Sequence, residues 1–396
     1  MTLHDLAFFI TSKVLPLVLS IIGFGLLIII HELGHFIFCK AFKIHTPTFS
    51  VGFGPKIIEK KIGSTNFRIS KIPIGGYVEI AGLAEPGQGE QEHATLTGEN
   101  SFDAKPFWQK FFVLFGGILF NLIFAYLAFC TIFIVGDRGK KQIITISHVA
   151  PNSPAQKAGM LENDQVLSID NQSLLAQEGK TVKDSLETFL EIIRQNPEKS
   201  ISITVLRSVT QDAIKKDQEL PLTIQPEKVI ENNVAVGKIG IYPSIPMPKL
   251  PFFQAIKTGF FYTNEWIINM AMSIKNLFTQ KSLEGVGGPV MILAQGFKFA
   301  QGGLVSLLLF LAIISISLAL INLLPLGVTD GGQLLLVSIE SIIRRPIPDS
   351  VRIGINIVSI GLFAILFVYL TYRDILKLFG ATFVSIYKKI LVLLGQ

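Results

Sequence analysis

Cysteine is nearly absent from this chain. Two occur in 396 residues, Cys39 and Cys130, each within or beside an apolar segment. So few exclude a disulfide framework and a cysteine-type zinc site, and leave the pair as small apolar filler. Charge is scarce as well: Asp, Glu, Lys and Arg make up 16% of the residues against 49% hydrophobic, with a mean hydropathy of +0.52. Ordinary soluble domains carry about 25% charged residues, so that class is excluded. The formal net charge of +6 fits basic membrane-proximal loops. There is no arginine-rich arm and no nucleic-acid module, so no nucleic-acid partner is expected.

Long apolar runs fill the place of the missing charge, and they predict an integral membrane protein with the lipid bilayer as its surroundings. The first run is uncharged from Val14 to Ile30 and continues to Phe38, bracketed by Lys13 and Lys40. It resembles a signal peptide at its start, but no small-residue cleavage site ends it, so it is expected to be retained. A second run extends from Phe111 to Val135, a third from about Leu304 to Leu324, and a fourth lies between Arg352 and Arg373. The last twenty or so residues, with Lys377, Lys388 and Lys389, read as a basic amphipathic tail or a short fifth insertion.

Between the spans the pattern changes. Lys56–Glu59 and Phe67–Ile72 interleave apolar and polar residues around the turn signal Gly63-Ser64-Thr65-Asn66, which predicts a β-hairpin that Pro73–Tyr77 then breaks. Two placements stay open for it: a sheet dipping toward the His-Glu-x-x-His turn of the first span, or a plain cytosolic hairpin. Residues 82–105 read as a flexible polar loop. From about 140 to 245 charges return, with short strands and turns. After prolines 243, 246, 248 and 251, residues 252–280 read as an amphipathic surface helix, and Met291–Phe299 re-approaches the bilayer. The chain is thus expected to divide into 1–39 (first transmembrane helix), 40–106 (membrane-associated β-hairpin and loop), 107–136 (second transmembrane helix), 137–245 (inserted domain), 246–300 (linker and amphipathic helix), 301–332 (third transmembrane helix) and 333–396 (fourth transmembrane helix and tail).

One turn of the first run carries the chemistry: His31-Glu32-Leu33-Gly34-His35. On a helix His31 and His35 project from one face and can share a metal ion, while Glu32 lies close enough to accept a proton from water there. The plain alternative is a helix that happens to hold two histidines and a glutamate. Ionisable groups at membrane depth are costly and usually functional, which favours a zinc site. The third run ends in Asn322-Leu-Leu-Pro-Leu-Gly-Val-Thr-Asp330-Gly-Gly332. Spans one and three run in the same direction, so Asp330 reaches the same membrane face as the histidines and can be the third ligand, with the fourth position left for water. Its plain alternative is a turn or N-cap aspartate. Asn121 and Asn322 are candidates for positioning substrate, the plain alternative for each being a hydrogen bond between helices.

Within 140–245, the order strand, Ser153-Pro-Ala turn and helix, Asn163-Asp164 turn and strand resembles a PDZ domain of bacterial membrane-associated proteases. That resemblance implies an α+β domain binding peptide ends at a sheet edge. Asn163 stands where such domains usually have glycine, and asparagine tolerates the same left-handed backbone.

Together the His31-Glu-Leu-Gly-His35 motif, the Asn322–Gly332 stretch, Ile74–Val78 and Gly287-Gly-Pro289 resemble the site-2 protease family of intramembrane zinc metalloproteases, closest to bacterial members that clip membrane-anchored anti-sigma factors. The resemblance implies a polytopic α-helical membrane protein of about four transmembrane helices, with a membrane-proximal β-hairpin and an inserted PDZ-like domain. It implies Zn2+ held by His31, His35 and Asp330, Glu32 as general base, and single-pass membrane proteins as substrates. It also implies the bacterial cytoplasmic membrane, with the PDZ-like domain outside; Lys40, Lys43, Lys56, Lys105 and Lys110 agree, while Arg138, Lys140 and Lys141 pull the other way. The chain departs from the family at Gly327-Val-Thr (often proline, a small residue and leucine), at Ser317 (often asparagine) and at Ile118 (usually proline). From other classes, a non-catalytic membrane scaffold binding peptides through the PDZ-like domain is the alternative, and a zinc carrier a more distant one.

Overall fold

The computed structural model describes residues 6, 9–83, 98–136, 143–175, 182–211, 214–231, 234–244, 247–280 and 286–393. Most of the loop expected at 82–105 lies outside them. Among the described residues, four helices are long and apolar enough to cross a membrane: Ile10–Ala41, Phe107–Val135, Leu304–Asn322 and Ser350–Leu378. The protein is a polytopic membrane protein, as its apolar runs require.

The chain forms two compact units, Met1–Ile132 with Phe252–Gln396, and Phe133–Pro251. In the first unit, α1 (Leu15–Ala41) follows a π-helical turn, Ile10–Val14. The strands β1 (Thr48–Ile62) and β2 (Thr65–Val78) come next, then α2 (Phe107–Val135). The strands run beyond the short segments expected, because β1 pairs twice. Phe49–Val51 face both Phe67–Ile69 and Gly76–Val78, and Ile58–Ile62 pair with Thr65–Ile69. Pro73–Tyr77 therefore re-aims β2 and does not break it. The proximal sheet packs with α1 and α2 through Phe49, Val78, Ile80, Val113 and Leu114.

The helices α1 and α2 meet through backbone. A Cβ on Gly116 would come 2.7 Å from the carbonyl oxygen of Gly34, and one on Gly34 would fall on the carbonyl oxygen of Gly116. Close approach at Gly116-Gly117 is what small residues permit between membrane helices. Gly34→Ala is expected to force the helices apart, at a cost of about 1–3 kcal/mol or more. Thermal unfolding of purified protein measures the loss, and an unshifted midpoint would contradict the packing.

The second unit holds β3 (Ile144–Val149), α3 (Pro154–Lys157), β4 (Gln165–Ile169), β5 (Gln172–Ser173), α4 (Val182–Gln195), β6 (Ile201–Gln211) and β7 (Ile214–Ile224). After these come β8 (Glu227–Glu231), β9 (Val234–Lys238) and β10 (Ile241–Ser244). One antiparallel sheet runs β10-β3-β4-β6-β7 with β5 beside β4, and β8 and β9 pair separately. Ile144, Ile146, Val166, Phe189 and Ile203 fill its core. Ser153 caps α3 by accepting from Gln156 N–H, and Asn163 takes the left-handed conformation, at φ 72°. Asp164 is buried and accepts from Leu161 N–H and from the Arg207 guanidinium. That ion pair raises the Arg207 pKa above its usual value.

Back in the first unit, α5 (Phe252–Gln280) exposes Phe253, Phe260, Phe261 and Ile268 as an amphipathic helix does. It is followed by α6 (Pro289–Gln301), α7 (Leu304–Asn322), α8 (Asp330–Ile343) and α9 (Asp349–Leu393). Two features differ from expectation. The stretch after Asp330 is a full helix, and the last span runs without a break into the tail.

Candidate metal centre

The two histidines lie where α1 is pressed against α2. His35 Nδ1 is 2.8 Å from the carbonyl oxygen of Val113. A carbonyl only accepts, so the ring donates there and Nε2 keeps its lone pair. His31 Nε2 faces the same point, 3.3 Å from His35 Nε2.

The carboxylate arrives from the other end of the sequence. Thr329 caps α8 by accepting from Gly332 N–H, and its hydroxyl is 2.6 Å from Leu324 O and 2.8 Å from Leu326 O. The cap is thus Thr329, which releases Asp330 at the first helical position from any capping duty. Its Oδ2 lies 3.3 Å from His31 Nε2 and its Oδ1 3.5 Å from His35 Nε2. Oδ2 is buried and has no hydrogen-bond partner among the described residues.

These atoms suit one zinc ion. The three ligand atoms lie within 4.8 Å of one another. Two nitrogens each about 2.0–2.1 Å from one tetrahedral ion stand about 3.3–3.4 Å apart, which matches the two imidazoles. Lone pairs converging with an orphaned carboxylate oxygen call for a cation.

Glu32 is 7% exposed, and its Oε2 accepts from the Val78 N–H at 3.1 Å. Through that contact the end of β2 reaches Glu32. The side-chain nitrogens of both asparagines face His31, Asn121 Nδ2 at 3.3 Å from Nδ1 and Asn322 Nδ2 at 3.5 Å from Nε2. His31, His35 and Asp330 therefore converge on one point, Asn121 and Asn322 each lie one hydrogen bond from it, and Glu32 follows His31 in the same turn of α1.

The model of peptidase family M50 matches residues 19–367, and so spans both ligand motifs. The chain belongs to peptidase family M50. A Clostridium perfringens protein carrying the name zinc metalloprotease is 30% identical over 363 residues, covering 91% of this chain and 98% of that one. The protein named protease eep of Enterococcus faecalis is 27% identical, covering 91% and 98%. The chloroplastic membrane metalloprotease ARASP of Arabidopsis thaliana is 28% identical, covering 89% of this chain and 77% of that one. This M50 chain is accordingly a membrane zinc metalloendopeptidase of the site-2 protease family, and the scaffold and carrier alternatives fall away.

The departures from the family pattern have local answers in this M50 peptidase. Gly327 carries an N–H that proline would lack, and Ser359 of α9 accepts it at 2.8 Å. The Gly327 carbonyl accepts from Gln333 Nε2 at 2.6 Å, and a Cβ on Gly327 would sit 2.8 Å from Asn356 Oδ1. The fourth span thus anchors the loop that presents Asp330. Ser317 instead bonds back to Ile313 O at 2.9 Å, and Ile118 is buried core. Val113, Val78, Gln333 and Ser359 were not legible as site residues. The first two act through backbone, which carries no residue-type signal, and only Ser359, a hydroxyl in an apolar helix, left a trace.

Ser359→Ala leaves the buried Gly327 N–H without its acceptor, an expected cost of about 1–3 kcal/mol. The unfolding midpoint should fall and zinc should bind more weakly as the Asp330 loop loosens. Unchanged values for both would show that the contact contributes nothing.

Proposed function

We propose that this M50 peptidase hydrolyses peptide bonds in the transmembrane segments of single-pass membrane proteins, with anti-sigma factors or signal-peptide remnants as the substrate classes. His31, His35 and Asp330 hold zinc, and Glu32 is the general base. The observation that carries the reading is the convergence of three ligand atoms within 4.8 Å, two of them from a membrane span, next to a buried glutamate. A site set in a spanning helix is reached by substrate that is itself in the bilayer.

Bound zinc acidifies water toward neutral pH and polarises a peptide carbonyl. Glu32, oriented by the Val78 N–H, takes up the proton of the attacking water and returns it to the leaving amine. A peptide bond inside a helix is shielded by its own hydrogen bonds, so the substrate segment must unwind. Gly76–Val78 pair with β1 through one side and turn the other toward Glu32, and the unwound segment adds to this edge as an extended strand. Asn322, beside His31 Nε2, orients the substrate backbone or the developing oxyanion. The second unit acts as a PDZ-like domain that binds peptide ends, and the protein resides in the bacterial cytoplasmic membrane with that unit outside. The left-handed Asn163 supports the PDZ-like reading.

Mass spectrometry of membrane peptides tests the substrate class. Cells with the wild-type protein should yield fragments ending inside transmembrane segments that cells with Glu32→Gln lack. Fragments differing only in soluble proteins would overturn it.

A further inference from the structure

We propose that Asn121 sets the tautomer of His31, and so acts as a positioning residue for zinc and not as helix glue or a substrate contact; the inference rests on His31 being a zinc ligand. Asn121 lies in the second span at 0% exposure, with its amide against the outer nitrogen of the His31 ring, Nδ2 to Nδ1 at 3.3 Å.

His35 shows what an imidazole needs in order to face the metal. Its Nδ1 donates to Val113 O, and Nε2 is left with its lone pair. His31 Nε2 faces the same point, so its proton belongs on Nδ1 and needs an acceptor. The amide nitrogen of Asn121 cannot accept. Its oxygen can, and Oδ1 is buried without a partner among the described residues. The two ends of an amide are nearly isosteric, so a half-turn about the Cβ–Cγ bond brings Oδ1 against the His31 Nδ1–H. One rotation gives the orphaned acceptor a donor and His31 the tautomer that presents a lone pair to the ion.

The rival role, joining helices, does not use this side chain on its α7 side. Ser315 donates to the backbone carbonyl of Asn121 at 2.8 Å, a link that any residue at this position would keep. Partners that orient metal-bound histidines typically change metal affinity about 10–100-fold when removed.

The test uses full-length protein in detergent micelles, with zinc as the probe. Chelator competition gives the zinc dissociation constant for wild type, Asn121→Leu (similar size, no acceptor) and Asn121→Asp (acceptor kept). Asn121→Leu is expected to weaken zinc about 10–100-fold with one ion still bound at saturation, and Asn121→Asp to stay within about threefold of wild type. Wild-type affinity in Asn121→Leu, or equal losses in both variants, would overturn the proposal. Should Asn121→Leu fail to fold, ring-nitrogen NMR of the zinc-loaded wild type decides: a proton on His31 Nδ1 supports the inference, and metal at Nδ1 overturns it. Wild-type protein that binds no zinc would remove the metal-site reading and this inference together. Normal zinc binding with an indifferent Asn121→Leu removes the inference alone.

Discussion

Replacing Glu32 by glutamine should yield a protein that folds, binds one zinc and no longer cuts. Glutamine keeps the size of the side chain and an oxygen to accept the Val78 N–H at the position of Oε2, so β2 stays in place. What disappears is the capacity to take a proton from water. General-base catalysis contributes about 10²–10⁴-fold, and the rate should fall by that factor or below detection. Zinc content should not change, because Glu32 is absent from the cluster formed by His31, His35 and Asp330. Metal analysis and a cleavage assay on one preparation check both halves. Lost zinc would mean Glu32 is itself a ligand, and retained cleavage would mean the base lies elsewhere.

Asp330→Ala should be as severe by a different route. It removes the one anionic ligand and leaves two neutral imidazoles to hold a dication in apolar surroundings. Loss of an outer-shell partner already costs about 10–100-fold in affinity, so loss of a ligand should cost on the order of a thousandfold or more. Cleavage should follow zinc occupancy and recover in part as zinc is raised. Fold should survive, since Thr329 and not Asp330 caps α8 and Gln333 still holds the Gly327 carbonyl. Unchanged metal affinity would leave Asp330 a plain helix-start residue.

Much of this was legible in the amino-acid order. Apolar runs longer than a membrane is thick can only become spanning helices, because water is not there to satisfy their backbone. The four-residue spacing of His31 and His35 places both imidazoles on one helix face whatever surrounds them. Even the partnership with Asp330, 295 residues after His35, followed from counting membrane crossings. Each of these is decided by local geometry or by the bilayer.

The rest needed the tertiary structure. No pattern in the sequence tells that β1 pairs on both sides and so carries Val78 to Glu32, since pairing of this kind is set by packing between distant segments. Nor does it show that Val113 O fixes His35, that Ser359 answers the N–H of Gly327, or that the Asn121 amide meets His31. The sequence by itself picked out the side chains that could share a metal ion, because the histidine spacing is local and the bilayer sets the face that Asp330 reaches. Only the fold decided which backbone and side-chain dipoles hold those side chains still, because a hydrogen bond between distant segments depends on how closely they pack.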